Sequence, residues 1–160
     1  MTLTAAVLTV STSVAAGDRT DRSGELLASL ARDAGAEVLD VAVVADRAPE
    51  IETWLRRQVA AGIALALTTG GTGLTVDDVT PEATRAVIER EVPGIAEAMR
   101  AESVRRTPMG MLSRTLAGAA GKTLIINFPG SPRAAEELFG VIAPVLGHAV
   151  ALLQGERVGH

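Results

Sequence analysis

Thr68-Thr69-Gly70-Gly71-Thr72-Gly73-Leu74-Thr75-Val76-Asp77-Asp78-Val79-Thr80-Pro81-Glu82 is the stretch on which the fold turns. The apolar run Ile63 to Leu67 leads into it, so a buried strand ends in two threonines and three closely spaced glycines. Glycine has no side chain to keep backbone N–H groups away from an anion, and a helix that starts nearby adds its positive dipole end. Thr80 reads as the N-cap of such a helix and Pro81 as its first residue, where a missing N–H is harmless. A carboxylate in the same loop can hold the Mg²⁺ that accompanies a polyphosphate. Strand, glycine loop and helix in this order make a candidate nucleotide-phosphate site.

On both sides of this loop apolar runs alternate with helical patterns. Ala5 to Val10 reads as a buried strand and Ser11 to Arg22 as a polar loop. A helix is expected from about Ser23 to Ala34, with Leu26, Leu27, Leu30 and Ala31 on one face and Gly35 as its stop. Val38 to Val44 is a second strand, and Ala48 to Ala60 a helix with Ile51, Trp54, Leu55 and Val59 facing inward. Beyond the glycine loop the helix from Thr80 is expected to reach about Arg90. Pro93 restarts another, with Ile95, Ala98 and Met99 in phase. Thr107 to Ala120, broken by Pro108, Gly110 and Gly118, reads as a short strand or strand pair. Leu124 to Phe128 is a strand, and Ser131-Pro132 opens a last helix to about Leu153, where Pro144 should crowd the Gly140 carbonyl and kink it. The expected fold is a three-layer α/β/α domain over 1–155, its sheet mostly parallel with helices on both faces. A tail of 156–160 follows, with fraying expected from Gln154. In such sheets ligands sit beyond the carboxyl ends of strands, so Ser11-Thr12-Ser13, Thr68 to Gly73 and Asn127 to Pro132 are expected to share one rim.

Composition narrows the function classes. The chain has 160 residues, 48% hydrophobic, with two Phe, one Trp and no Tyr, so its core is aliphatic. A formal charge of −4 and a single lysine, Lys122, argue against a nucleic-acid surface. The absence of cysteine excludes disulfides, thiolate nucleophiles and Cys-ligated metals. Met1-Thr2-Leu3-Thr4 has no charged leader, and no apolar segment reads as the ~20 residues a membrane helix needs, so no membrane partner and a cytoplasmic location are expected. Gly121-Lys122-Thr123 invites a P-loop reading, but position 116 is Leu116 and a strand follows instead of a helix, which fits a turn between extended segments better. A dinucleotide fingerprint fails because the third glycine position is Val76. His148 and His160 have no partner at metal-ligand spacing, and Gly-x-Ser-x-Gly is absent.

The glycine loop with its Asp-Val-Thr-Pro-Glu continuation resembles the signature of the Mog/MoaB family of molybdenum-cofactor biosynthesis proteins. The resemblance extends to Val7 to Ser11, Asp21 to Gly24, Val44-Ala45-Asp46, Pro93 to Arg100, Leu112-Ser113-Arg114 and Asn127 to Pro132, in the family's order and over nearly the whole chain. It implies a molybdopterin adenylyltransferase, in which the terminal phosphate of molybdopterin attacks the α-phosphorus of ATP and pyrophosphate leaves. The attacking phosphate is already a nucleophile, so no Ser, Cys or His base is needed, which agrees with a chain that lacks a triad. By the same resemblance Asp46 and Asp78 are catalytic and bind Mg²⁺, while Gly70, Gly71, Thr72, Gly73 and Ser11 line the nucleotide phosphates. Ser113, Arg114, Asn127, Pro129, Gly130 and Ser131 belong to the molybdopterin site, with Ser131 first a helix cap. Arg114 is either an anion clamp or a surface ion pair.

Two departures stand out. The family usually has Ser-Asp-Ser after the first strand, where this chain has Ser11-Thr12-Ser13, and a basic residue before the loop aspartate, where this chain has Asp77. An anion in place of a cation weakens polyphosphate binding unless metal compensates. The alternative to the enzyme is a non-catalytic molybdopterin-binding or assembly protein of the same family. The resemblance further implies a homotrimer, hexameric in some branches, and contact with the protein that inserts molybdenum.

Overall fold

The computed structural model describes residues 2–156. In chain order the elements are β1 (Leu3–Val10), α1 (Thr12–Ala15), α2 (Arg22–Asp33), β2 (Ala36–Val44), α3 (Ala48–Ala60), β3 (Leu65–Thr69), α4 (Thr80–Arg85), β4 (Arg90–Glu91), α5 (Pro93–Arg106), β5 (Ala117–Ala120), β6 (Thr123–Phe128) and α6 (Pro132–Leu153), with a 3-10 turn at Pro108–Leu112. The sheet order is β2-β1-β3-β6-β5-β4. The first three pairings are parallel, and β5 and β4 add an antiparallel extension.

Both faces of the sheet are covered, which is why its central strands are continuously apolar. One core joins Ala5, Val7, Leu65, Leu67, Leu124, Ile126 and Phe128 to α2, α5 and α6. The other joins Ala6, Leu8, Val10, Ala66 and Ile125 to α3 and α4. The three-layer α/β/α architecture is therefore as expected. Between β1 and β3 the chain changes direction: β2 lies on one side of β1, and β3 and β6 on the other. That switch point opens a crevice beyond the strand ends, and it positions the site.

Several local expectations need correcting. Thr80 is not the N-cap of α4: Val79 is, with no side-chain cap, while the Thr80 hydroxyl donates to the Gly70 carbonyl at 2.9 Å. The helix stops at Arg85 instead of about Arg90, because 89–92 pairs with β5 through Glu89 N–H to Ala119 O and Val92 N–H to Ala117 O, both 2.9 Å. Gly118 allows that approach, since a Cβ there would meet the Arg90 carbonyl oxygen at 2.8 Å. On α5 the buried apolar residues are Ile95, Ala96 and Met99, with Ala98 exposed. The polar loop after β1 holds a one-turn helix, α1, capped by Ser11. Helix α6 has 22 residues and is apolar enough to cross a membrane by length and composition, contrary to the sequence expectation. It is a core helix here: Leu138, Phe139, Ile142 and Leu146 pack on the sheet, and Phe128 stacks on Phe139 at 6.2 Å. It continues through Pro144 as one helix to Leu153 and ends in a Gln154 cap. The hairpin β5–β6 turns at Gly121-Lys122, with Gly121 at φ 54°, which is the expected turn between extended segments and not a P-loop. Of the expected tail, residues 157–160, His160 among them, lie outside the described residues.

Candidate functional site

Three loops meet at the switch point. Gly70 N–H donates to the Phe128 carbonyl at 3.0 Å, which ties the end of β3 to that of β6. The Thr69 hydroxyl donates to the Pro129 carbonyl at 2.8 Å. Gly70, at φ 98°, lies so close to β1 that a Cβ would stand 2.3 Å from the Val10 carbonyl oxygen. On the far side Ser11 N–H donates to Val44 O at 2.9 Å, drawing β2 and Asp46 to the same rim. The expected convergence of the three loops is present.

These loops surround a cavity of about 820 Å³ lined by Ser11, Asp46, Gly70, Gly71, Gly130 and Ser131, and by Arg19, Thr20, Asp21 and Arg22 from the α1–α2 connection. The N-termini of two long helices face it, α2 through Arg22 and Ser23 and α6 through Ser131 and Pro132. With the exposed guanidinium groups of Arg19 and Arg22, they make the cavity suited to anions. Asp21 caps α2 by accepting from Gly24 N–H at 2.9 Å, and it also accepts the Thr9 hydroxyl. That pins the helix start to the end of β1. Arg19 and Arg22 were not singled out by sequence reasoning, because nothing in a polar loop distinguishes a cavity-lining arginine from a solvated one.

Asp46 is fastened to Thr12. The Thr12 N–H and hydroxyl both donate to Asp46 Oδ2, at 2.8 and 2.9 Å, and Asp46 N–H donates to Thr12 Oγ1 at 3.1 Å. Oδ1 makes no hydrogen bond among the described residues. Asp78 is elsewhere: its Oδ2 accepts from Thr75 N–H and the Thr75 hydroxyl at 2.9 and 2.8 Å, closing the outer part of the glycine loop. Asp46 lines the large cavity and Asp78 does not, so the two expected metal ligands are not brought into one cavity. Among the described residues no group of three His, Asp or Glu is placed to hold a cation by itself. A Mg²⁺ carried in on phosphates, with one carboxylate from the protein, suits this donor set, because Mg²⁺ keeps most of its waters and phosphate ligands.

The carbonyls of the glycine loop are hydrogen-bonded in sequence. Four successive carbonyls are taken: that of Gly70 by the Thr80 hydroxyl (2.9 Å), of Gly71 by Thr80 N–H (3.1 Å), of Thr72 by Arg114 N–H (3.0 Å) and of Gly73 by Arg114 Nε (2.8 Å). In a trans peptide the N–H of the next residue points opposite to the carbonyl. Accordingly the N–H groups of Gly71, Thr72, Gly73 and Leu74 have no acceptor among the described residues. A row of oriented, unbonded amides is what an anion requires.

The remaining expected residues lie behind this loop. Asn127 is fully buried, and its Nδ2 donates to the hydroxyls of Thr68 and Thr84, both at 2.9 Å, joining β6, β3 and α4. Its Oδ1 has no partner among the described residues. Ser113 and Arg114 line a second cavity of about 420 Å³ with Glu82, Arg85, Glu97 and Arg100. The Arg114 guanidinium also holds the Asp78 carbonyl at 2.6 Å and pairs with Glu82, whose carboxyl it keeps below the ordinary carboxylate range. Arg100 donates to the Ser113 carbonyl at 2.8 Å. Glu82 was legible only as part of a helix start, since its partner lies far along the chain.

Comparison with known proteins agrees with this geometry. Residues 6–148 match the family model described as a probable molybdopterin binding domain. The chain is 39% identical over 156 residues to the molybdenum cofactor synthesis protein cinnamon of Drosophila melanogaster, covering 94% of this chain and 26% of that protein. It is 44% identical over 100 residues to the molybdopterin adenylyltransferase of Haemophilus influenzae, covering 62% of this chain and 51% of that one. The crystal structure of the molybdopterin biosynthesis enzyme MoaB from Thermus thermophilus superposes with a TM-score of 0.90 at 43% identity, covering 96% of this chain and 98% of that one. The chain thus spans between a quarter and about half the length of these two curated relatives.

Proposed function

The chain belongs to the molybdopterin-binding domain family of molybdenum-cofactor biosynthesis proteins, and from that premise we propose that it is a molybdopterin adenylyltransferase. A phosphate oxygen of molybdopterin forms a bond to the α-phosphorus of ATP, the bond from that phosphorus to the β-bridging oxygen breaks, and pyrophosphate leaves with the electron pair. Such chemistry depends on holding two phosphates in line and stabilising the charge between them. The observation that carries the proposal is the run of unbonded N–H groups from Gly71 to Leu74, which begins at Gly71 on the wall of a wide, anion-suited cavity.

In this proposal Gly70 sets the bend, and Gly71, Thr72 and Gly73 offer amides to the nucleotide phosphates. Ser11 and the α2 and α6 N-termini face the same space from the other side. Asp46, whose Oδ1 is unengaged, would hold Mg²⁺, which would neutralise polyphosphate charge when bound. Asp78 acts by closing the loop on Thr75, and Asn127 by holding the floor beneath it. Ser113, Gly130 and Ser131 are left to the pterin partner. The reading also carries a homotrimeric assembly, which light scattering measures directly.

Incubation with molybdopterin, Mg²⁺ and ATP, followed by pyrophosphate release, tests the reaction. Molybdopterin-dependent release that disappears in Asp46→Ala is the expected result. Tight pterin binding with no release overturns it in favour of a carrier, the reading that Thr12 in place of a second acidic residue beside Asp46 favours.

A further inference from the structure

Of the four hydrogen-bonded carbonyls of the glycine loop, the last two are held by a single residue remote in sequence. Arg114 uses its N–H on Thr72, its Nε on Gly73 and its Nη2 on Asp78, and its remaining Nη1 pairs with Glu82 on α4. Nothing else among the described residues donates to the Thr72 or Gly73 carbonyls. If the guanidinium leaves, the Gly73–Leu74 peptide that orients the Leu74 N–H is free to rotate, since Gly73 allows either sign of φ, while the Arg114 N–H still holds the Thr72 carbonyl. Thr80, inside α4, fixes only the first half of the loop.

We propose that Arg114 is a positioning residue that keeps the glycine loop in its amide-outward form, with Glu82 as the anchor that holds the guanidinium in place. Arg114 then does not clamp an anion itself. Its backbone N–H, Nε and Nη2 hold three backbone carbonyls and its guanidinium pairs with Glu82, so a substrate phosphate would compete with Glu82 for it. Arg114 and Glu82 line the smaller cavity, and the loop whose later half Arg114 holds reaches the larger one through Gly70 and Gly71. The lowered proton affinity of Glu82 keeps this anchor charged at neutral pH.

The effect on ligand affinity rests on the nucleotide reading above, whereas the effect on loop order does not. Two variants separate the possibilities. Glu82→Gln removes the anchoring charge at an exposed position, and Arg114→Lys keeps the charge but loses the planar fork that reaches three acceptors at once. ATP affinity in the presence of Mg²⁺ is measured by calorimetry, and backbone order parameters of Gly71 to Leu74 are measured by NMR without ligand. Both variants are expected to raise the ATP Kd at least tenfold and to lower the order parameter at Leu74, with melting temperatures close to wild type. A direct anion clamp predicts the opposite sign for Glu82→Gln, tighter ATP binding, and that result overturns the proposal, as does wild-type loop order in both variants. If the unaltered protein binds no ATP, the nucleotide reading fails, and the order parameters alone still decide whether Arg114 sets the loop.

Discussion

Thr12 and Asp46 hold each other reciprocally: the threonine hydroxyl donates to the carboxylate and accepts from the aspartate's own N–H, across 34 residues of sequence. The contact stitches the start of α1 to the end of β2 and leaves Asp46 Oδ1 unengaged at the cavity. It also gives the Ser-Thr-Ser sequence a physical role, since an aspartate at position 12 would set two carboxylates side by side and raise the proton affinity of one.

Asp46→Asn should therefore separate charge from scaffold. An asparagine with its oxygen toward Thr12 keeps both donated hydrogen bonds, so the melting temperature should move little. Pyrophosphate release should fall on the order of a hundredfold if the carboxylate stabilises transition-state charge. Thr12→Val tests the other half: it removes the hydroxyl and should destabilise by about 1 kcal/mol in urea unfolding, the usual worth of a hydrogen bond. Equal activity of Asp46→Asn and wild type would remove Asp46 from the machinery.

Asn127 is expected to act through the fold. Asn127→Leu leaves the buried hydroxyls of Thr68 and Thr84 without their donor and should cost about 2–3 kcal/mol, measured by denaturant unfolding. Full stability combined with lost pterin binding would instead return Asn127 to direct ligand contact.

The sheet was readable because its central strands are buried on both faces and α2 and α3 carry clear apolar stripes; α3 was placed to the residue. What escaped is what depends on contacts between distant residues. Thr80 has the chemistry of a cap, but the Gly70 carbonyl takes its hydroxyl. The helix after it has the composition to reach Arg90, but pairing with β5 diverts the chain. In the site, Gly70, Gly71 and Asp46 were legible from residue type and order alone. The duties of Asp78, Arg114 and Asn127 were not, because each depends on which partner occupies its polar atoms, and only the folded chain decides that.

Glu102 gives a pH test on the surface of α5. Its carboxyl is pushed down from 4.5 to about 2, chiefly by the hydrogen bond from Arg105 and then by that from Arg106, which also reaches Glu137 on α6 at 3.1 Å. A depressed folded-state value means the contribution is complete above the ordinary carboxylate range and is lost as pH falls toward 2. The stability difference between wild type and Glu102→Gln should be constant from neutral pH down to about 5, then shrink to nothing in acid, and salt should reduce it throughout. A difference that grows on acidification would show that the pairing is absent in solution.

Gly70 and Gly130 face each other across the rim and should respond to the same substitution in opposite ways. A Cβ on Gly70 would lie 2.3 Å from the backbone oxygen of Val10, an atom fixed inside β1, and φ there is 98°. Neither problem can be relieved by rotating a side chain, so Gly70→Ala should cost several kcal/mol or displace the loop, with ATP binding lost in either case. A Cβ on Gly130 would meet the Cα of Gly70 at 3.4 Å and its nitrogen at 3.9 Å, both ordinary contacts. Gly130→Ala should then fold like wild type, with a melting temperature within a few degrees and ATP affinity retained. Because both residues line the same cavity, comparing the pair tells loop geometry apart from loss of open space. If Gly130→Ala abolishes ATP binding as completely as Gly70→Ala, the nucleotide needs the volume above Gly130, and close backbone packing at Gly70 is not what sets affinity.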